Sequence, residues 1–277
     1  IQSYKNRLKL SSDPLSNLKN VILQEEAKNG LKYSESTLTS GSDGEYSNSK
    51  KLIIINNLVK YLPRKLFTIY HELSHYLIYN VFEETLNAVH EYDVNANDHQ
   101  FLIENLCNFS AAEFLIDSSI VSLCLDNGLP KIDVIKSYIE NPNFSAPALI
   151  YKLVNNISND CVGVIVRNSF YRPISTKKEL TLIGSDVPDP NLKSSYVEYS
   201  FNSRNFKYPI KRFNLVEVEG CINNNFETQA DIAQGDDKFP FSNSRTMPCY
   251  VHGFYKENRF FGFLFAKRAN YISEDQL

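Results

Sequence analysis

The chain has 277 residues, 43% of them hydrophobic, five cysteines and a formal net charge of −3. Such a composition supports a substantial core in one or two domains and argues against wholesale disorder, while the small net charge gives no global pull toward nucleic acid. No apolar run approaches the ~18 residues of a membrane span, Ile1 to Arg7 carry no signal-peptide h-region, and Cys107, Cys124, Cys161, Cys221 and Cys249 are scattered with no C-x-x-C, so a cytoplasmic protein with reduced thiols and no membrane partner is expected.

Asp13-Pro14 reads as a helix start, N-cap then first turn. Leu15, Leu18, Val21 and Ile22 repeat at helical spacing, and Asn29-Gly30 ends the run. Residues 31 to 57 read as strands, broken by a polar turn at Ser40-Gly41-Ser42-Asp43-Gly44. The last, Lys51 to Asn56, is rich in β-branched residues.

Pro63 is placed to open the next helix, and Leu66, Ile69, Tyr70, Leu73 and Leu77 give it a core face. This segment carries His71-Glu72-Leu73-Ser74-His75. Residues four apart share a helix face, so both imidazoles can grip one metal ion. Glu72 falls one step around the helix, where it can take a proton from water activated by that metal. No charge other than Glu72 falls between Phe67 and Asn80, as in a deeply buried helix.

The stretch from Glu83 to His99 is polar and reads as a loop. Its His90 and His99 are candidates for stabilising an oxyanion or contacting substrate; the plainer reading is solvated loop histidines. Asp98 can cap a helix running from Gln100 to Leu115. A catalytic zinc site needs a third protein ligand, and Glu104 and Glu113 are both candidates on this helix. Glu104 is favoured because Asn108, four residues on, shares its face and can orient a ligand histidine. Cys107 lies one turn beyond Glu104. As a thiolate it could contact the metal and hold the enzyme off, and as a thiol it is a small core residue.

Between Lys131 and Asn156 two short helices are expected, joined by Glu140 to Phe144. The second offers only Tyr151, Lys152 and Asn155 as donors to base edges, so a plain helical hairpin is favoured over a DNA-reading one. Beyond Asn159 strands are expected at Cys161–Val166, Glu179–Ile183, Tyr196–Phe201 and Asn214–Glu219, with a hairpin about Lys256-Glu257-Asn258 and one or more helices between Phe226 and Asp236. Arg204, Lys207, Lys211, Arg212 and Arg245 could form an anion or nucleic-acid patch, or simply a solvated face.

Phe67 to His75, together with Glu104 to Asn108 and Ala111 to Ile116, resembles the two peptidase motifs of the ImmA/IrrE family of metallopeptidases. The family's alanine-rich run ends in Leu-Met-Pro, whereas this one ends Leu115-Ile116-Asp117, which departs at the helix exit and not at the metal site. Arg245 to Val251 resembles the C-terminal domain of the longer, IrrE-type members. The resemblance implies an α+β chain in three parts: a zincin-like metallopeptidase domain at 1–128, a helix-turn-helix-like helical segment at 129–159, and a mixed α/β GAF-like sensor or platform domain at 160–277. It implies Zn²⁺, with Mn²⁺ as the alternative ion, held by His71, His75 and Glu104, with Glu72 as the catalytic base. It implies an endopeptidase whose substrate is a helix-turn-helix transcriptional repressor, cleaved to derepress a stress, DNA-damage or antiphage-defence operon. A nucleic-acid or small-molecule activator would act at the C-terminal domain. The competing expectation is a non-catalytic, zinc-stabilised regulator that binds DNA or a repressor; such a protein has no use for the Glu72 carboxylate.

Overall fold

The computed structural model describes residues 2–8, 14–91, 96–141, 144–169, 193–204, 206, 210, 214, 216, 220–228, 231–240 and 246–266. It is a mixed α+β protein whose chain divides into two units, one formed by Ile1–Val121 with Ile139–Lys152, the other by Ser122–Tyr138 with Leu153–Leu277. In chain order the elements are α1 (Gln2–Arg7), α2 (Pro14–Asn29), β1 (Lys32–Ser36), β2 (Gly44–Ser47), β3 (Leu52–Asn56), α3 (Leu62–Asn80), α4 (Glu83–Glu91), α5 (Ala96–Leu115), α6 (Ser118–Cys124), the short pair β4 (Leu125–Asp126) and β5 (Leu129–Pro130), α7 (Ile132–Glu140), α8 (Ala146–Val154), β6 (Cys161–Ser169), β7 (Ser194–Asn202), α9 (Cys221–Thr228), β8 (Ile232–Pro240), β9 (Thr246–Lys256) and β10 (Arg259–Ala266). Among the described residues no single helix is long and apolar enough to cross a membrane.

In the first unit, α2 starts at Pro14 and closes at Gly30, whose φ of +72° lets its N–H return to the Glu26 carbonyl at 3.1 Å. The β-branched run of β3 forms the centre of a three-stranded sheet, with β1 parallel on one side and β2 antiparallel on the other. Ile53 and Ile55 are fully buried on one face of it, as alternation requires. Pro63 stands in the first turn of α3, where its missing N–H leaves no bond unmade. Leu66, Ile69, Tyr70, Leu73 and Leu77 are all buried, so the helical stripe expected from spacing is the core face of α3. Tyr70 stacks on Phe114 of α5, centroids 4.9 Å apart and planes 11° from parallel, which sets α3 against α5.

Two buried polar knots tie these helices together. The Glu25 carboxylate of α2 accepts hydrogen bonds from Tyr4 Oη of α1 at 2.7 Å, Tyr76 Oη of α3 at 2.9 Å and Asn29 Nδ2 at 2.5 Å. Lys152 of α8, 4% exposed, donates to Glu113 Oε2 of α5 at 3.1 Å and to the Ile116 carbonyl, while Lys5 Nζ of α1 donates to the Glu113 carbonyl at 2.9 Å. Each knot satisfies charges that would be costly to bury alone. The pairing also removes Lys152 from any DNA-reading face, so α8 is a buried packing helix in which Leu149, Ile150, Leu153 and Val154 are fully covered.

In the second unit five strands form one antiparallel sheet in the order β7-β6-β10-β9-β8. Val162, Val164 and Val166 of β6, Val251 of β9 and Phe260 and Leu264 of β10 share a buried face, with Ile222 and the partly buried Phe226 of α9 packed on it. The β9–β10 hairpin turns at Glu257, which takes φ +57°.

Three expectations are corrected. Residues 83–91 and 96–99 are helical, not loop: α4 covers Glu83–Glu91 and α5 already begins at Ala96, so Asp98 lies within that helix and is not its N-cap, while residues 92–95 lie outside the described residues. The stripe holding α4 down is narrow, essentially Val89 with the partly buried Leu86, too few apolar positions to announce a helix by periodicity. The region 226–236 is mostly not helical, since α9 occupies Cys221–Thr228 and β8 Ile232–Pro240. Gly235 and Pro240 read as breakers, but an edge strand tolerates both, and β8 is an edge. Asn214 and Val216 lie outside any strand, although Asn214 O accepts from Val197 N at 2.9 Å and Val216 N donates to Ser195 O at 2.9 Å along β7. The strand expected at 179–183 lies outside the described residues.

The Glu25 knot makes stability depend on pH. Burial pushes this carboxyl up, but the hydrogen bonds from Tyr4, Asn29 and Tyr76 and the charge of Lys28 outweigh it and hold the group below the usual glutamate range. A carboxyl lowered by folding contributes stability above its unfolded value, and that stability is lost as pH falls through the folded value. Glu25→Gln should therefore lower the melting temperature at neutral pH. The gap to wild type should close below about pH 4, the range in which the unfolded glutamate protonates; thermal melts between pH 3 and 8 check this.

Candidate metal centre

Helix α3 presents His71 and His75 one turn apart, and α5, packed against it, presents Glu104. The ligand atoms of these three residues all lie within 4.8 Å of one another, the one such group of His, Cys, Asp and Glu among the described residues. His75 Nε2 is 3.3 Å from His71 Nε2, His71 Nε2 is 3.2 Å from Glu104 Oε2, and His75 Nε2 is 3.5 Å from Glu104 Oε1.

These separations have a simple geometric meaning. Ligands at about 2.0–2.1 Å from a tetrahedral centre stand about 3.3–3.4 Å from each other. The three observed edges scatter around that value. The donor chemistry agrees. Asn108 Oδ1 lies 3.0 Å from His71 Nδ1, and since an amide oxygen only accepts, that nitrogen carries the proton. His71 Nε2 is thereby turned toward a carboxylate and a second imidazole. Burial, then the charge of His71, lowers the His75 pKa against the pull of Glu104. Two imidazole nitrogens and one carboxylate are a zinc donor set, with the fourth position left for water or substrate.

The helix partners of these ligands hold them in place. Asn108 fixes the ring of His71, the task expected of it. Gln100, one turn before Glu104, donates from Nε2 to Glu104 Oε1 at 2.7 Å. The i, i+4 spacing of Gln100 and Glu104 was visible in the sequence and is the signal that would have found this contact. Phe67 lies beside His71, centroids 6.3 Å apart, and Tyr79 lies parallel to His75 at 6.4 Å, again by i, i+4 spacing.

Glu72 is 8% exposed and lies against β2. Burial, then the negative charges of Glu104 and Glu45, push its carboxyl up to about 7, against a hydrogen bond from the Tyr46 backbone N–H. A carboxyl balanced there can both take and give a proton near neutral pH. The contacts with Glu45 and Tyr46 escaped sequence reasoning because they come from a strand packing onto the helix, and no local spacing encodes that.

The other candidates are not part of the group. Glu113 pairs with Lys152, whereas Glu104 is the carboxylate of α5 that stands with His71 and His75. Cys107 is fully buried beside Ile78, Val89 and Ile103, and burial, then the charges of Glu104 and Glu72, holds its thiol far above its usual range. It is a buried thiol outside the three-residue group. His90, exposed at the end of α4, and His99, in the first turns of α5, pair with each other at 5.8 Å between centroids. Of the basic residues expected to cluster, Arg204 is exposed, and Lys207, Lys211, Arg212 and Arg245 lie outside the described residues.

Against known proteins, the chain matches no family model and no curated sequence. Among solved structures it is similar to a Mycobacterium tuberculosis transcriptional regulator, with a TM-score of 0.56 at 9% identity, over 95% of this chain and 74% of that one. At that identity the likeness concerns the fold.

If Asn108 orients His71, Asn108→Ala should weaken zinc binding about 10- to 100-fold. His71→Ala should abolish stoichiometric binding, and Glu113→Gln should leave affinity unchanged while lowering stability. Titration against a chromogenic chelator, alongside thermal melts, separates the three outcomes.

Proposed function

We propose that this chain is a zinc-dependent endopeptidase of the ImmA/IrrE kind, with a zincin-like first unit and a GAF-like second unit. The observation that carries the reading is the tetrahedral spacing of His71, His75 and Glu104 beside a buried glutamate. A purely structural zinc site ordinarily closes with four protein ligands, whereas three ligands leave a position open to chemistry. Zinc in this cradle would supply Lewis acidity, acidifying water and polarising a carbonyl; Mn²⁺ has chemistry close enough to substitute.

The chain's own residues supply the rest. His71, turned by Asn108, and His75, whose pKa is lowered by burial, offer ring nitrogens as ligands. Glu72 takes a proton from the attacking water and passes it to the leaving amine, a shuttle that a carboxyl near pH 7 performs with little thermodynamic penalty in either direction. A general base of this sort typically contributes 10²–10⁴-fold to rate.

The proposed substrate is a helix-turn-helix repressor protein in the cytoplasm, cleaved so that a stress, DNA-damage or antiphage operon is derepressed. Support for the regulatory setting comes from the name of the solved structure whose fold runs along 95% of this chain, a transcriptional regulator. The antiparallel sheet of the second unit, with α9 on its apolar face, agrees with a GAF-like platform that receives a nucleic-acid or small-molecule activator. The same name also favours the second reading, a zinc-stabilised regulator without catalysis, and Glu72 separates the two.

Glu72→Gln should keep wild-type zinc content and lose cleavage of a candidate repressor by at least about 10²-fold, the scale of a missing general base. Chelation should abolish cleavage and added zinc restore it. Gel assays with repressors encoded beside this gene, with an operon reporter in cells, decide the matter. Unchanged reporter output from Glu72→Gln would establish the non-catalytic regulator, and broad digestion of unfolded proteins would reject a dedicated substrate.

A further inference from the structure

The strand β2 touches the proposed base more closely than its sequence suggests. Gly44 is not a turn glycine: it lies in the strand, and its φ is outside the left-handed region. Any L-residue could adopt its backbone, so the lack of a side chain has to be explained by space. A Cβ built there would lie 2.6 Å from Thr68 Cγ2, 3.0 Å from Ile55 Cδ1 and 3.1 Å from Glu72 Cγ. β2 thus lies flat on α3 at the turn that carries Thr68 and Glu72, one turn apart, at a distance only glycine permits.

Residues two apart on a strand face the same way, so Tyr46 follows Gly44 toward α3. The hydrogen-bond alternation of the β2–β3 ladder says where its N–H goes. Asn56 N donates to Asp43 O at 2.8 Å, which makes residues 43 and 56 a bonded pair. Bonded pairs then recur at Glu45–Ile54 and Ser47–Leu52, and Tyr46, opposite Ile53, turns its N–H away from the sheet. That free edge N–H is the one that donates to the Glu72 carboxylate.

We propose that β2 positions the catalytic base: Gly44, by having no side chain, lets the strand lie on α3 so that the Tyr46 backbone N–H holds the Glu72 carboxylate in its working orientation. Gly44 and Tyr46 touch neither substrate nor metal in this scheme and act through Glu72. This inference rests on the reading of Glu72 as the base.

The test uses the full chain with zinc bound. Gly44→Ala should leave zinc affinity within two-fold of wild type, because the atoms nearest a Cβ at Gly44 belong to Thr68, Ile55 and Glu72 and not to His71, His75 or Glu104, and should lower kcat about 10- to 100-fold, as ångström-scale misplacement of a catalytic group does, with little change in KM. Thr68→Ser removes the nearest obstructing atom while keeping the hydroxyl that bonds the Arg64 carbonyl at 3.0 Å. Alone it should be close to wild type, and combined with Gly44→Ala it should recover most of the lost kcat. General destabilisation would not be rescued in this way. Independently of cleavage, amide exchange followed by NMR should show the Tyr46 N–H protected in wild type and several-fold faster in Glu72→Ala. Wild-type kcat in Gly44→Ala, or equal Tyr46 exchange in wild type and Glu72→Ala, overturns the proposal. A wild-type chain that cleaves nothing sinks the peptidase reading instead, and the exchange measurement still reports whether the strand holds the carboxylate.

Discussion

Two imidazole nitrogens and a carboxylate meet between α3 and α5, and the rest of the candidate site depends on that meeting. They stand 3.2 to 3.5 Å apart, the spacing of donor atoms around one small cation. The packing of the two helices sets that spacing. Tyr70 stacks on Phe114 across their interface, and Asn108 and Gln100 hold individual ligands in place. Donor groups held in place before any ligand arrives lose little free energy to ordering when one binds.

The same packing creates the chemical asymmetry of the site. Helix α3 brings one acidic side chain into the interior beside Glu104 and Glu45, and burial with like charges raises its carboxyl toward neutrality. β2 supplies the counterweight, a single backbone N–H. The Glu72 carboxyl is therefore set by two opposed influences that come from different elements. Elsewhere in the unit carboxylates meet donors: Glu25 accepts from Tyr4, Asn29 and Tyr76, and Glu113 from Lys152. Glu72 differs in facing other carboxylates, Glu104 and Glu45, across its buried surroundings.

The second unit follows different rules. Its antiparallel sheet is continuous from β7 to β8, and valines and phenylalanines of all five strands form its core with α9. Strand β8 shows how far pairing can override composition. Ile232 to Pro240 holds a glycine and two adjacent aspartates, yet it pairs with β9 along its whole length. β9 offers a template of unpaired backbone groups, and an edge position forgives residues that an interior strand would reject.

Sequence periodicity alone determined the parts of the site that lie on one helix at a time. The pairing of His71 with His75, the place of Glu72 between them, the buried stripe of α3 and the partnership of Glu104 with Asn108 all follow from 3.6 residues per turn, a local rule that any reader of the chain can apply. What tertiary structure alone decided is whatever depends on two elements meeting. It set Glu104 beside the two histidines and Glu113 beside Lys152, it sealed Cys107 into the core, it made a helix of the polar residues of α4, and it laid Gly44 and Tyr46 against Glu72. The physical reason is the same in each case: the deciding partner is tens of residues away along the chain, and its approach is governed by packing and desolvation, which leave no period in the sequence to read.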